Sequence, residues 1–211
     1  MKALIENQLQ LEQQDTIVFL GDYIDRGPDS KAVIDYLIQF KETHKNVVFL
    51  RGNHEQMFLE AQLSMHAHNR WIDSGGEEVM QSYGLRNFDP VPYQFQDFIS
   101  NTHYYYIEGE YIFVHAGLNH LAKSPLNDFN AMMWIREFEV TKKLTGGKIL
   151  IHGHTPTSMQ VIEDQIKTSA TGLKICLDNG CVYKGKRAEM GNLLAFEVYS
   201  KTLFIQHNID F

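Results

Sequence analysis

A chain of 211 residues with 44% hydrophobic and 21% charged residues has the composition of a globular protein, which excludes an intrinsically disordered one. Its formal net charge of -7 argues against a sequence-independent hold on nucleic acid, although a local site can still bind an anion. The first residues lack the apolar core of a signal peptide, and no stretch is long enough to span a bilayer. We therefore expect a cytoplasmic protein with neither a membrane nor a nucleic-acid partner.

The first half of the chain alternates strand and helix patterns. Residues 2–12 have the spacing of a short amphipathic helix, and the apolar run 18–20 predicts a buried strand that ends in the polar turn 21–27. A helix start signal at Asp29 follows, and helical spacing continues to Thr43. The next apolar run, 47–50, again ends in a polar turn, 51–55. This strand–helix–strand pattern predicts a parallel pair with both polar turns at one edge of a sheet.

The second half is richer in strands. Helical patterns continue over residues 56–62, 77–83 and 90–101, and the best loop candidate is 167–172. Short strands are predicted at 104–107, 111–114, 149–151, 173–176, 193–198 and 203–205. We therefore predict an α/β fold in which two facing mixed β-sheets are flanked by helices, within one domain that covers residues 1–211.

Four predicted strand ends share one design, in which an apolar strand is followed by residues of the kind that bind metal ions. These residues are Asp22 with Asp25, Asn53 with His54, His115, and His152 with His154. Carboxylate, amide and imidazole ligands together suit Mn²⁺, Fe²⁺ or Zn²⁺ better than Ca²⁺ or Mg²⁺. Plainer interpretations also exist: strand-end turns that merely cap the strands, a turn amide at Asn53, and a core histidine at His115.

With these motifs the sequence resembles the calcineurin-like metallophosphoesterases, and within them the phosphoprotein phosphatases, most of all the bacterial Ser/Thr protein phosphatases. Gly-Asp-x-x-Asp-Arg-Gly lies at 21–27 and Gly-Asn-His-Glu at 52–55, with further matches at 71–84, 133–137 and 177–180. The resemblance implies a four-layer sandwich and two divalent metal ions, with Mn²⁺ expected and Fe or Zn as alternatives. It matches Asp22 to the ligand that bridges both metals, and Asn53, His115 and His154 to the other ligands of the second metal.

The resemblance also implies the catalytic group. His54 matches the general acid, Asp25 its orienting partner, and Arg26 and Arg136 the arginines that hold phosphate oxygens. The implied function is a Ser/Thr phosphoprotein phosphatase, acting on a phosphoprotein or a small phosphorylated substrate by direct attack of metal-bound hydroxide on phosphorus. A symmetrical dinucleoside tetraphosphate hydrolase is similar in the same motifs and is the alternative enzymatic interpretation. Arg136 could instead be a structural cation–π partner of Trp134.

The sequence departs from the family pattern at its start. The family opens with a strand and a Gly-Asp-x-His-Gly turn that supplies the first metal, and residues 1–211 have no such motif. We therefore expect one incomplete metal site, either because the chain is a shortened version of a longer protein or because it is a variant with impaired activity. A third interpretation is a degenerate, non-catalytic phosphate-binding module. The substrate and the oligomeric state stay open.

Overall fold

The computed structural model describes residues 1–86, 89–169 and 172–210, in two compact units. The first unit is Glu12–His103, and the second combines Met1–Leu11 with Tyr104–Phe211. The mixed α/β class is confirmed, with several sheets flanked by helices. The single domain over residues 1–211 stays a prediction, and residues 170 and 171 of the predicted loop lie outside the described residues. No described helix has the length and apolarity needed to cross a bilayer.

The first unit begins with the predicted strand–helix–strand arrangement. Strands β1 (Ile17–Phe19) and β2 (Val47–Phe49) pair in parallel. Helix α2 (Ser30–Thr43) connects them, and its apolar face buries Ile34, Leu37 and Phe40 at a spacing of three residues. Because the strands are parallel, the polar turns that follow them leave the same edge of this two-stranded sheet.

The rest of the first unit is helical. Its elements are α3 (Asn53–Ala61), α4 (Met65–Trp71), the π-type turn Ile72–Gly76, α5 (Glu77–Ser82) and α6 (Tyr93–Ser100). The prediction of a polar turn up to residue 55 is wrong, because α3 begins at Asn53 and not at residue 56. Helix α4 was not predicted. As a result, Asn53 and His54 stand in the first turn of a helix whose amino end follows β2 closely.

The described residues of the second unit form two sheets. Its mixed four-stranded sheet has the order β3 (Tyr105–Glu108), β4 (Tyr111–Val114), β5 (Ile149–His152), β6 (Lys174–Cys176). The β3–β4 pair is antiparallel, and the β4–β5 and β5–β6 pairs are parallel. A separate antiparallel hairpin consists of β7 (Asn192–Glu197) and β8 (Thr202–His207). The amino-terminal helix α1 (Lys2–Asn7) ends five residues before its predicted limit of residue 12.

Three helices of the second unit were not predicted: α7 (Phe129–Trp134), α8 (Lys142–Thr145) and α9 (Met159–Lys167). Helix α9 connects β5 to β6, as a parallel crossover requires. One core cluster buries Ile112, Val114, Leu118, Met132 and Leu150, and another buries Ile162, Ile166 and Ile175. The first cluster anchors β4 and β5, and therefore fixes where the residues after these strands begin, and the second packs α9 on β6.

Candidate active site

The polar turn after β1 has a strained backbone. Asp22, Asp25 and Arg26 have φ angles of 58°, 71° and 58°, in the left-handed region that is unfavourable for residues with a Cβ. Strain of this kind persists only where surrounding contacts hold it, and it concentrates at functional sites. One such contact is the backbone N–H of Arg26, which donates to the carbonyl of Gly75 at 3.3 Å. The backbone therefore supports the functional interpretation of this turn over a simple strand-end cap.

The buried carboxylate of Glu55 fixes the position of Asp22. It accepts hydrogen bonds from the backbone N–H groups of Asp22, Tyr23 and Gly52, each at 2.8 Å. A Cβ on Gly52 would lie only 2.1 Å from Oδ1 of Asp22, so this close approach needs glycine. No role was expected for Glu55, although a glutamate three residues after a helix N-cap is a known capping signal.

His54 and Asp25 form the expected pair. Nδ1 of His54 lies 2.6 Å from Oδ2 of Asp25, and both side chains are buried. Burial raises the pKa of Asp25 to about 8, against the opposing effects of a hydrogen bond from Trp71 and the charge of Arg26. Burial likewise lowers the pKa of His54, against the opposing charge of Asp22. Burial therefore disfavours the charged form of each side chain of this pair.

The first unit also places Asn53 and Arg26. Asn53 is buried as the first residue of α3, and the backbone N–H of the next residue, His54, donates to Oδ1 of Asp22 at 3.3 Å. Arg26 is exposed. Five predicted site residues thus occupy two adjoining turns of this unit.

In the second unit, two predicted ligands face each other. Nε2 of His115 lies 3.1 Å from Nδ1 of His154, and both rings are buried. His115 directly follows β4, His154 lies two residues beyond β5, and the N–H of Gly153 donates to the carbonyl of His115 at 2.7 Å. His154 also has a left-handed φ of 66°. The parallel β4–β5 pair therefore brings these two imidazoles together, as the strand-end pattern suggested.

His152 competes with His154 for the ligand role in the sequence. It is the last residue of β5, its Nδ1 donates to the carbonyl of Gly153 at 3.1 Å, and its ring packs on Phe138. Burial lowers the pKa of His152 to about 4, which keeps the imidazole neutral at pH 7. The geometry favours His154, because it is the ring of His154 that meets His115. Arg136 is exposed, two residues after α7.

Comparison with known proteins identifies the family. The model of the calcineurin-like phosphoesterases matches residues 1–195. The chain belongs to the calcineurin-like phosphoesterase family. It is 45% identical over 77 residues to serine/threonine-protein phosphatase 1 of Salmonella typhimurium. This match covers 36% of this chain and 32% of that protein. It is 28% identical over 109 residues to the symmetrical bis(5'-nucleosyl)-tetraphosphatase of Nitrosospira multiformis. This second match covers 51% of this chain and 34% of that protein.

These matches span about a third of the length of either relative. A crystal structure of a protein provisionally called a diadenosine tetraphosphatase superposes with a TM-score of 0.55 at 17% identity, covering 93% of this chain and 82% of that one. At this identity the superposition shows a shared fold. It places this calcineurin-like phosphoesterase in the same mixed α/β architecture that the sequence predicted.

The available donor atoms fit the divalent-metal dependence of the calcineurin-like phosphoesterases. The second unit presents two imidazoles whose ring nitrogens approach within 3.1 Å, and the first unit presents the carboxylate of Asp22 beside the start of α3. Carboxylate, amide and imidazole ligands are the set that suits Mn²⁺, Fe²⁺ and Zn²⁺. The residue types and their local geometry are therefore compatible with a bound divalent ion.

Proposed function

We propose that this chain is a metal-dependent phosphoric monoester hydrolase, and specifically a Ser/Thr phosphoprotein phosphatase. The observation that carries the proposal is the buried pair of His54 and Asp25, 2.6 Å apart, beside the strained turn that holds Asp22 and Arg26. Membership of the calcineurin-like phosphoesterases supports the reaction class. The 45% identity over 77 residues to a Ser/Thr protein phosphatase supports the substrate class, a phosphoprotein or a small phosphate ester.

Each catalytic side chain has a defined task in this proposal. His54 donates a proton to the departing alkoxide, which is a poor leaving group without one, and Asp25 orients the imidazole. The guanidinium groups of Arg26 and Arg136 pair with the phosphoryl oxygens and neutralise their charge. Water forms the new bond to phosphorus as the alkoxide leaves, so the reaction needs no nucleophilic side chain and we expect no phosphoenzyme.

We propose Asp22, Asn53, His115 and His154 as the metal ligands and Mn²⁺ as the ion, with Fe or Zn as alternatives. A divalent ion supplies Lewis acidity towards a phosphoryl oxygen and lowers the pKa of bound water. We further propose that the protein is bacterial and cytoplasmic. The free thiols of Cys176 and Cys181 agree with a reducing compartment, because disulfides form and persist in oxidising compartments.

A symmetrical dinucleoside tetraphosphate hydrolase is the second candidate. It is favoured by the similarity to the Nitrosospira multiformis tetraphosphatase, which extends over 109 residues and so over more of this chain than the phosphatase match. The same acid, metal ligands and arginines would serve this reaction, because it also breaks a phosphorus–oxygen bond. The two candidates differ in the leaving group that the substrate carries on the attacked phosphorus.

One experiment separates the candidates and tests the site. The chain is assayed in Mn²⁺ with a phosphoserine peptide and with diadenosine tetraphosphate, since only the second substrate releases nucleotides. We expect turnover of the peptide, and a loss of about 10²- to 10⁴-fold in kcat for His54→Asn, the range for removing a general acid. His66→Asn, at an exposed histidine of the same unit, is the matched control.

Metal binding is measured by calorimetry on His54→Asn and on variants of two proposed ligands. Asn53→Ala and His154→Ala should weaken Mn²⁺ binding by about 10-fold or more, whereas His54→Asn should retain it. Failure of the unaltered chain to hydrolyse either substrate, or full turnover by His54→Asn, would overturn the proposed function. Preferential release of ADP from diadenosine tetraphosphate would replace the first candidate with the second.

A further inference from the structure

Trp71 is buried against the proposed proton-donating pair. Only 1% of its surface is exposed, and its indole N–H donates to Oδ1 of Asp25 at 3.0 Å. The other carboxylate oxygen, Oδ2, lies 2.6 Å from Nδ1 of His54. Each oxygen of this buried carboxylate therefore has its own side-chain partner. Rotation of the carboxyl group would break both contacts at once.

Two adjacent glycines hold the indole and the Asp25 turn together. A Cβ on Gly76 would lie 2.4 Å from Cε2 of Trp71, so the indole packs directly on this glycine. Gly75 has a φ of 118°, and a Cβ there would lie 2.9 Å from the backbone nitrogen of Arg26 and 3.1 Å from Cβ of Asp25. The turn Ile72–Gly76 therefore packs against both the indole of Trp71 and the turn that carries Asp25 and Arg26.

We propose that Trp71 is a positioning residue that holds the Asp25 carboxylate in the orientation required by His54. The inference rests on the proposed function, because it presumes that His54 protonates the leaving group. Without the indole N–H, Oδ1 of Asp25 would be a buried acceptor that lacks this partner, which favours rearrangement of the carboxyl group. His54 would then lose the contact that orients its imidazole. The same hydrogen bond opposes the rise in the pKa of Asp25 that burial causes.

The test compares two substrates that differ in their need for a proton. The alkoxide that leaves a phosphoserine peptide needs protonation, whereas the phenolate that leaves 2,4-dinitrophenyl phosphate is stable without it. For Trp71→Phe we expect kcat on the peptide to fall by roughly 10- to 100-fold, part of the full effect of general acid catalysis, with KM little changed. On the dinitrophenyl ester, kcat should fall less than about 3-fold, because general acid catalysis contributes little there.

Two further variants separate positioning from general damage. Gly76→Ala should displace the indole and reproduce the difference between the two substrates. Phe95→Leu removes part of another buried aromatic ring of the same unit, which contacts Phe58 and Tyr83. We expect any loss in this control to be equal on both esters.

A spectroscopic measurement reports the contact independently of turnover. The indole N–H resonance of Trp71 is assigned by its absence in Trp71→Phe and should shift in Asp25→Asn, because the substitution changes the acceptor of the indole N–H. Equal losses of kcat on both esters for Trp71→Phe would overturn the inference. An indole N–H resonance that does not shift in Asp25→Asn would overturn it as well. An unaltered chain that is inactive on both esters would instead count against the proposed function, while the resonance would still test the contact.

Discussion

The two units hold their candidate site residues by different means. In the first unit, three backbone N–H groups around Asp22 converge on the carboxylate of one buried side chain, Glu55. In the second unit, His115 and His154 follow adjacent parallel strands, and their turns are joined by a backbone bond from Gly153 to His115. Contacts that converge on one carboxylate are lost together when that carboxylate is removed. Geometry set by strand pairing does not depend on a single side chain.

The largest effect that this contrast predicts is for Glu55→Ala. The substitution leaves three backbone N–H groups without their acceptor, at roughly 1–3 kcal/mol for each one that stays buried. We therefore expect the free energy of unfolding to fall by about 3 kcal/mol or more, with a parallel loss of Mn²⁺ affinity. Urea denaturation followed by circular dichroism measures the first quantity, and calorimetry the second.

The control for Glu55 is another glutamate of α3. Glu60 pairs with Arg70 at 2.5 Å on the surface, and exposed ion pairs contribute about 1 kcal/mol or less. Glu60→Ala should therefore leave both stability and Mn²⁺ affinity nearly unchanged. If Glu55→Ala were as mild as this control, the turn around Asp22 would have to be held by other contacts.

A matched pair of glycine-to-alanine substitutions compares the two units directly. Gly52 and Gly153 each precede a proposed ligand. A Cβ on Gly52 would lie 2.1 Å from Oδ1 of Asp22, whereas a Cβ on Gly153 would find its nearest atom, the carbonyl oxygen of His115, at 3.7 Å. Gly52→Ala should cost about 1–3 kcal/mol of stability, as overpacking does, and should weaken Mn²⁺ binding. Gly153→Ala should be tolerated, and equal losses in calorimetry and urea denaturation would contradict the contrast.

The sequence predicts those features of the fold that are encoded locally. The apolar runs that end in glycine and polar residues predict β1, β2, β4 and β5, and parallel pairing then places their polar turns at common edges. The pairs His54–Asp25 and His115–His154 follow from this placement together with the family motifs. Helix α9 was missed although Ile162 and Ile166 recur at helical spacing among mostly polar residues, which is the pattern of an amphipathic helix.

The contacts that hold the site residues in place could not be predicted in the same way. Trp71 reaches Asp25 across 46 positions of sequence, and no local pattern specifies a hydrogen bond over that separation. Glu55 belongs to the Gly-Asn-His-Glu motif, yet its bonds to Asp22 and Tyr23 depend on how β1 and α3 come together. Residue types that bind metal or phosphate are visible in a sequence, whereas the supporting side chains become visible only after the chain is folded.

The smallest effect concerns helix caps, where we expect the two units to behave alike. Asp128 accepts the backbone N–H of Ala131 at the start of α7 and the side-chain amide of Asn119, at 3.0 and 2.8 Å. Asp29 caps α2 in the first unit by accepting the backbone N–H of Ala32 at 2.9 Å. Replacing either aspartate by alanine should cost about 1 kcal/mol at pH 7, measured by urea denaturation.

The pH dependence of the Asp128 cap tests the origin of this energy. The hydrogen bond from Asn119 lowers the pKa of Asp128 below its usual value of 3.8. A carboxyl group with a lowered pKa stabilises the fold fully above its unfolded pKa, and this contribution disappears as the pH falls through the folded pKa. The difference between the unaltered chain and Asp128→Ala should therefore shrink below pH 3.8. Asp128→Asn keeps a capping acceptor without the titration, so its stability relative to Asp128→Ala should not change with pH. A difference that persists unchanged into acid would mean that capping geometry alone, and not the charge, supplies the stabilisation.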